Sequence, residues 1–81
     1  MEDVDIHKKL FAFIEGRYPD IQLGPADDIF ALGFVNSLFA MELVLFLENT
    51  FGFTVPSEAL RLDNFRSVQA MASLVNKYAA A

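Results

Sequence analysis

The sequence predicts an all-α fold: a four-helix bundle with a short third helix and a long loop between helices one and two. Apolar residues recur at helical spacing in three segments, and glycines and prolines separate these segments. The 81 residues are 54% hydrophobic and include nine phenylalanines, so they can form a core without disulfides. We therefore expect one domain spanning residues 1–81.

The first predicted helix runs from about Asp3 to Tyr18. Gly16 and Pro19 mark its end, because glycine and proline are common where helices stop. One face of this helix is apolar and is formed by Ile6, Leu10, Phe13 and Ile14.

A long connection follows, from Pro19 to Asn36. Two prolines and two glycines interrupt it, and it is longer than an ordinary turn between bundle helices. Three apolar side chains indicate that the connection packs against the core, namely Ile29, Phe30 and Leu32.

The second predicted helix spans about Ser37 to Phe51, with Asn36 as its cap and Gly52 as its stop. Its apolar residues fill three rows, which is more than a small bundle can cover, so at least one row should face solvent. The row assigned to the core is Ala40, Leu43, Val44, Leu47 and Phe51; the second is Leu38, Met41 and Leu45; the third is Phe39 and Phe46.

The last part of the sequence predicts two more helices. Residues 53–56 are extended, because the residue before a proline disfavours the helical conformation. A short third helix, from about Ser57 to Leu62, is capped by Ser57. A fourth runs from Ser67 to about Tyr78 and aligns Val68, Met71, Ala72, Val75 and Tyr78.

The charge balance excludes several classes of function. The net charge of -5 and the six dispersed basic residues argue against nucleic-acid binding, which requires clustered lysine and arginine. Partners with a basic face fit the acidic chain better. An acidic N-terminus and the lack of an apolar run of about 20 residues argue against a secretory signal and a membrane span. We expect a cytoplasmic monomer.

Residues 33–38 bring the hydroxyl of Ser37 to the first turn of the second predicted helix. A phosphate attached there would meet unpaired backbone N–H groups and the positive end of the helix dipole. A serine at this position is more often only a helix-start residue. A catalytic nucleophile is not indicated, because the segment lacks the glycine pattern of the hydrolase elbow and the sole histidine lies on the first predicted helix. No metal site is expected either, because Asp27 and Asp28 are typical turn residues.

The segment from Asp27 to Leu38 resembles the attachment region of acyl and peptidyl carrier proteins, where an acidic, apolar loop ends in Gly, two residues and Asp-Ser-Leu. The resemblance continues through residues 41–44, 47–48, 51–53 and 55–56 and ends at residues 65–69. It implies that Ser37 carries a 4′-phosphopantetheine arm derived from coenzyme A. It also implies a non-catalytic carrier, whose cargo is held as a thioester on the thiol of the arm.

The resemblance further implies a set of partner enzymes. These are a phosphopantetheinyl transferase, an acyl-loading or adenylating enzyme, and downstream synthase, dehydrogenase or transferase modules. We expect Phe39→Ala or Phe46→Ala to impair loading more than stability. The docking residues predicted on the second helix are Asn36, Leu38, Phe39, Met41, Glu42, Leu45, Phe46 and Glu48.

Two departures from the family pattern narrow this interpretation. Asn36 stands where aspartate is commonest, and Phe39 and Phe46 replace polar or small residues of fatty-acid carriers. The chain looks most like free-standing acyl carriers of polyketide or nonribosomal peptide biosynthesis, some of which hold unusual extender units. One alternative is a discrete peptidyl carrier charged with an amino acid. Another is a small helical interaction module in which Ser37 only starts a helix.

Overall fold

The computed structural model describes residues 3–20, 22–31 and 37–79; for residues 3 and 37 it describes the backbone alone. Three α-helices organise these described residues. The helices are α1 (Asp3–Arg17), α2 (Ser37–Phe51) and α3 (Val68–Tyr78). All regular structure in these described residues is helical. The predicted all-α class is therefore confirmed for this part of the chain.

The short third helix of the prediction is replaced by two 3₁₀ turns, Ser57–Ala59 and Leu62–Phe65. The backbone between them is not helical: Leu60 has φ -78° and ψ 66°, and Arg61 has φ -123° and ψ 142°. Each turn is closed by its own hydrogen bond, so the two do not join into an α-helix. One residue of each turn is buried in the core, Ala59 in the first and Phe65 in the second.

The core lies between α1, α2 and α3. Helix α1 buries Ile6, Leu10 and Ile14 completely, which confirms the apolar face predicted for it. Helix α3 begins where predicted, because the side chain of Ser67 accepts a hydrogen bond from the N–H of Ala70 at 3.0 Å. Its buried residues are Val68, Met71, Ala72, Leu74 and Val75.

The connection between α1 and α2 packs against the start of α3. Ile29 is fully buried, and Phe30 is partly buried against the core, as predicted. The N–H of Ile29 donates to the carbonyl of Arg66 at 2.8 Å, and the N–H of Gln69 donates to the carbonyl of Pro25 at 2.8 Å. These bonds fix the course of residues 25–29. Leu32, the third residue expected to pack, lies outside the described residues.

Helix α2 ends at Gly52, as predicted. Gly52 has φ +71°, a conformation that side chains disfavour. The N–H groups of Gly52 and Phe53 both donate to the carbonyl of Glu48, at 3.0 and 3.3 Å. Gly52 therefore closes the last turn of α2 through its left-handed backbone.

Gly52→Ala is expected to lower the free energy of unfolding by about 1–2 kcal/mol, because alanine is strained at a positive φ. Gly16→Ala is the matched control. Gly16 lies inside α1, and a methyl group added there would meet open space, so alanine should stabilise by about 0.5–1 kcal/mol. Urea denaturation followed by circular dichroism measures both. Equal effects of the two substitutions would contradict the assigned role of Gly52.

Candidate functional site

The candidate site begins at the N-terminus of α2, whose first residue is Ser37. The first turn contains no acidic residue, so no carboxylate there opposes an anion attached to Ser37. Backbone N–H groups at the start of a helix and the positive end of the helix dipole are suited to a phosphodiester. This chemistry fits a phosphate-linked group. The predicted cap Asn36 lies outside the described residues.

One apolar row of α2 faces solvent, as the sequence indicates. Leu38 is 72% exposed, and Met41 and Leu45 are each more than half exposed. These three residues, which we call the exposed row, begin directly after Ser37. Exposed apolar side chains that lie together mark interaction surfaces more often than isolated ones do.

The third row of α2 is largely covered, and the expectation that Phe39 is exposed for docking is wrong. Phe39 is only 3% exposed, and its ring centroid lies 5.9 Å from that of Phe13 and 5.2 Å from that of Tyr18. Phe46 is partly buried and stacks on Phe13 at 4.3 Å. The rings of Phe13 in α1 and of Tyr18 just after it cover this side of α2, so Phe39 belongs to the core and Phe46 to its edge.

The two predicted docking acids of α2 already have partners within the chain. An Oε1 atom of Glu42 accepts a hydrogen bond from the guanidinium of Arg17 at 2.6 Å. An Oε2 atom of Glu48 accepts from the N–H of Val55 at 2.9 Å. These contacts neutralise or occupy both carboxylates. The exposed row itself consists of apolar residues, and each of the two acids already has a partner.

A groove between α2 and residues 60–65 lies next to the exposed row, and the sequence did not predict it. It has a volume of about 160 Å³. Leu60 and Leu62 on its rim are each more than half exposed. The sequence signal was the run Leu60-Arg61-Leu62, which places two leucines around a charge in a segment too short to bury both. The groove is lined by Ala40, Met41, Val44, Leu60, Arg61, Leu62 and Phe65.

Arg66 ties the connection before Ser37 to the second 3₁₀ turn. Its guanidinium donates to Asp28 at 2.9 Å and to Asp63 at 2.8 Å. An Oδ1 atom of Asp28 also accepts from the N–H of Phe30 at 3.0 Å. The hydrogen bond from Arg66 lowers the pKa of Asp28, and the two carboxylates raise the pKa of Arg66. The Arg66 side chain thus joins two segments of the chain that are distant in sequence.

The lowered pKa of Asp28 gives a testable pH dependence. A carboxylate whose pKa is lower in the folded state stabilises the protein above its unfolded pKa of about 3.9, and this contribution disappears as the pH falls through the folded pKa. Asp28→Asn should therefore destabilise at pH 7 and have less effect at about pH 2.5. Urea denaturation at both pH values tests this. An effect that is equal at both would contradict an ionic role for Asp28.

Among the described residues, no group of three or more His, Cys, Asp or Glu side chains is arranged to hold a metal ion. None of the described helices has the length and apolar character required to cross a bilayer.

Comparison with known proteins identifies the family. The family described as "Phosphopantetheine attachment site" matches residues 8–75, a range that includes Ser37, the groove and most of α3. No significant match is found among curated proteins or among solved structures. Carrier domains of this family are generally non-catalytic and interact with phosphopantetheinyl transferases and biosynthetic enzymes. Because the match covers most of the chain, the protein belongs to the phosphopantetheine attachment family and binds a covalently attached 4′-phosphopantetheine group.

Proposed function

We propose that residues 1–81 form one carrier domain in which Ser37 bears the 4′-phosphopantetheine arm. The observation that carries this proposal is that α2 begins at Ser37, within the part of the chain that matches the family. The proposal also takes the pair of 3₁₀ turns as the equivalent of the short third helix of a four-helix bundle.

The residues around Ser37 suit the attachment step. The hydroxyl oxygen of Ser37 forms a phosphodiester with the phosphopantetheine part of coenzyme A, the nucleotide part leaves, and the hydroxyl proton passes to the transferase. The positive end of the α2 dipole and the first-turn N–H groups stabilise the resulting anion. When bound, the group supplies a terminal thiol that holds cargo as a thioester. Tethering keeps that cargo at high effective concentration beside a docked enzyme.

The proposed class is a free-standing acyl carrier of secondary metabolism, in the cytoplasm and monomeric. It presents an acyl or extender-unit thioester made by an acyl-loading enzyme to synthase, dehydrogenase or transferase modules. The support for this class is the sequence: Asn36 replaces the usual aspartate, and Phe46 replaces a smaller or polar residue of fatty-acid carriers. Leu38, Met41 and Leu45 form the docking row in this proposal, since they are the exposed apolar residues of α2.

One experiment tests attachment directly. The purified chain is incubated with coenzyme A and a promiscuous phosphopantetheinyl transferase, and the intact mass is measured. We expect a gain of one phosphopantetheine group, which fragmentation of the protein should locate at Ser37. A carrier of known competence in the same reaction is the positive control. If that control is modified while this chain gains no mass with either of two unrelated transferases, the proposal fails.

The nature of the cargo needs a second measurement. The modified chain is offered to acyltransferases with acyl thioesters and, separately, to adenylating enzymes with amino acids and ATP. Acyl loading without aminoacyl loading supports the acyl carrier, whereas the reverse result assigns the chain to the peptidyl carriers.

A further inference from the structure

Arg66 holds the connection before Ser37 by both its side chain and its backbone. The guanidinium of Arg66 donates to the carboxylate of Asp28 at 2.9 Å. The backbone carbonyl of Arg66 accepts from the N–H of Ile29 at 2.8 Å. One residue therefore fixes two successive residues of the connection, although 38 positions separate Arg66 from Asp28.

Asp28 extends this contact toward Ser37. Its Oδ1 atom accepts from the N–H groups of Phe30 and Ala31, at 3.0 and 3.3 Å, while its Oδ2 atom accepts from Arg66. Only five residues lie between Ala31 and Ser37 in the sequence. Because these six peptide units reach at most about 22 Å, the position of Ala31 limits where the chain can enter α2.

The neighbours of Arg66 fix its own backbone. Phe65 is buried in the core, and Ser67 caps α3 by accepting from the N–H of Ala70. Arg66 thus lies between a buried side chain and a helix cap, which makes it a rigid support for the connection. Its own side chain is 42% exposed, so a substitution there leaves the buried residues in place.

We propose that Arg66 is a positioning residue for attachment of the arm, because through Asp28 it holds residues 28–31 in the arrangement that the transferase meets before Ser37. The inference rests on the proposed function, since it takes Ser37 as the attachment residue. When the contact is lost, only a fraction of the molecules hold residues 28–31 in that arrangement. The apparent KM of the transferase for the carrier therefore rises, while kcat stays the same.

Two single substitutions test the proposal through the kinetics of attachment. Arg66→Gln and Asp28→Asn each remove the ion pair, and the asparagine keeps an oxygen that can accept from the N–H of Phe30. We expect each to raise KM about two- to fivefold, the scale of one partly exposed ion pair, with kcat unchanged. Initial rates are measured by intact mass at saturating coenzyme A and varied carrier concentration. Two unrelated transferases should both show the rise, because it originates in the carrier.

The double variant shows whether Arg66 acts through Asp28. Since both single substitutions break the same contact, their combination should raise KM no more than either does alone. If Arg66 instead touched the transferase, the two effects would multiply. Hydrogen exchange gives a second readout, because the Phe30 amide is bonded to Asp28 and should exchange faster in Arg66→Gln.

Asp63→Asn is the matched control. Asp63 is the other carboxylate bound by Arg66, at 2.8 Å, but it is 71% exposed and belongs to the second 3₁₀ turn. Its substitution leaves the contact between Arg66 and Asp28 in place, so KM should not change. Arg66→Lys keeps a cation near Asp28 and should restore part of the loss. Circular dichroism at the assay temperature checks that each variant is folded.

The inference is overturned if Arg66→Gln leaves KM unchanged or lowers kcat instead, if its effect multiplies with that of Asp28→Asn, or if Asp63→Asn has the same effect as Asp28→Asn. A parent chain that gains no mass contradicts the proposed function, and this inference falls with it. A parent chain that gains mass with one KM across all variants contradicts this inference alone.

Discussion

Ser37→Ala is expected to abolish attachment of the 4′-phosphopantetheine arm, because alanine has no oxygen to form the phosphodiester. The fold should persist, since loss of a hydroxyl at a helix start costs at most about 1–2 kcal/mol. The intact mass after incubation with coenzyme A and a transferase measures attachment, and circular dichroism measures helix content. The expected result is a folded protein with no gain in mass.

Ser57→Ala is the matched control for this experiment. Ser57 is exposed, and it is the first residue of a helical element, the first 3₁₀ turn, as Ser37 is of α2. This variant should gain the same mass as the parent at a similar rate. Continued modification of Ser37→Ala, or loss of modification in Ser57→Ala, would assign the arm to a different hydroxyl.

Phe39→Ala is expected to lower the free energy of unfolding by about 3–5 kcal/mol, the usual cost of removing a buried phenylalanine ring. Phe39 is 3% exposed and contacts the rings of Phe13 and Tyr18. A domain of this size has a total stability of about 5–15 kcal/mol, so the loss is a large fraction of it. Urea denaturation followed by circular dichroism provides the measurement.

The neighbouring residue provides the control. Leu38 is 72% exposed, so Leu38→Ala should change stability by no more than about 0.5 kcal/mol. If Phe39→Ala instead loses less than about 1 kcal/mol while slowing the loading reaction, Phe39 acts in docking rather than in the core. From the sequence, Phe39→Ala is expected to impair loading more than stability. Because Phe39 is buried, the structure predicts the larger effect on stability.

The helix boundaries could be predicted because local chemistry determines them. Gly52 ends α2 through its positive φ, and Ser67 caps α3 through its hydroxyl. Both effects act within a few residues and are visible in the sequence. The same holds for the candidate attachment residue, because its position at a helix start follows from the segment around it.

The orientation of α2 could not be predicted in the same way. This helix is apolar on nearly all sides, so no polar face indicates which row is buried. The position of α1 determines which row of α2 is buried, since Phe13 stacks against Phe39 and Phe46. The predicted core residues Leu43 and Leu47 are fully buried, but the buried stripe also includes Phe39. Tertiary contact, rather than periodicity, selects the solvent-facing row.

The two 3₁₀ turns and the groove beside them could not be predicted from the sequence, for related reasons. A side-chain amide of Asn64 donates to the carbonyl of Ala59 at 2.8 Å, which links the two 3₁₀ turns without a continuous helix. The exposure of Leu60 and Leu62 follows from that backbone path. Local propensity does not reveal it, because the segment is too short for a hydrophobic period.

The contact between Arg66 and Asp28 also constrains when this part of the protein can fold during synthesis. These residues are separated by 38 positions, and the backbone bonds of Ile29 and Pro25 likewise reach Arg66 and Gln69. Closing so long a loop requires the later residues to be present. During synthesis, the connection leading to Ser37 therefore cannot complete its native contacts until the start of α3 has left the ribosome. In a nascent chain that ends before Arg66, residues 25–29 lack these hydrogen-bond partners.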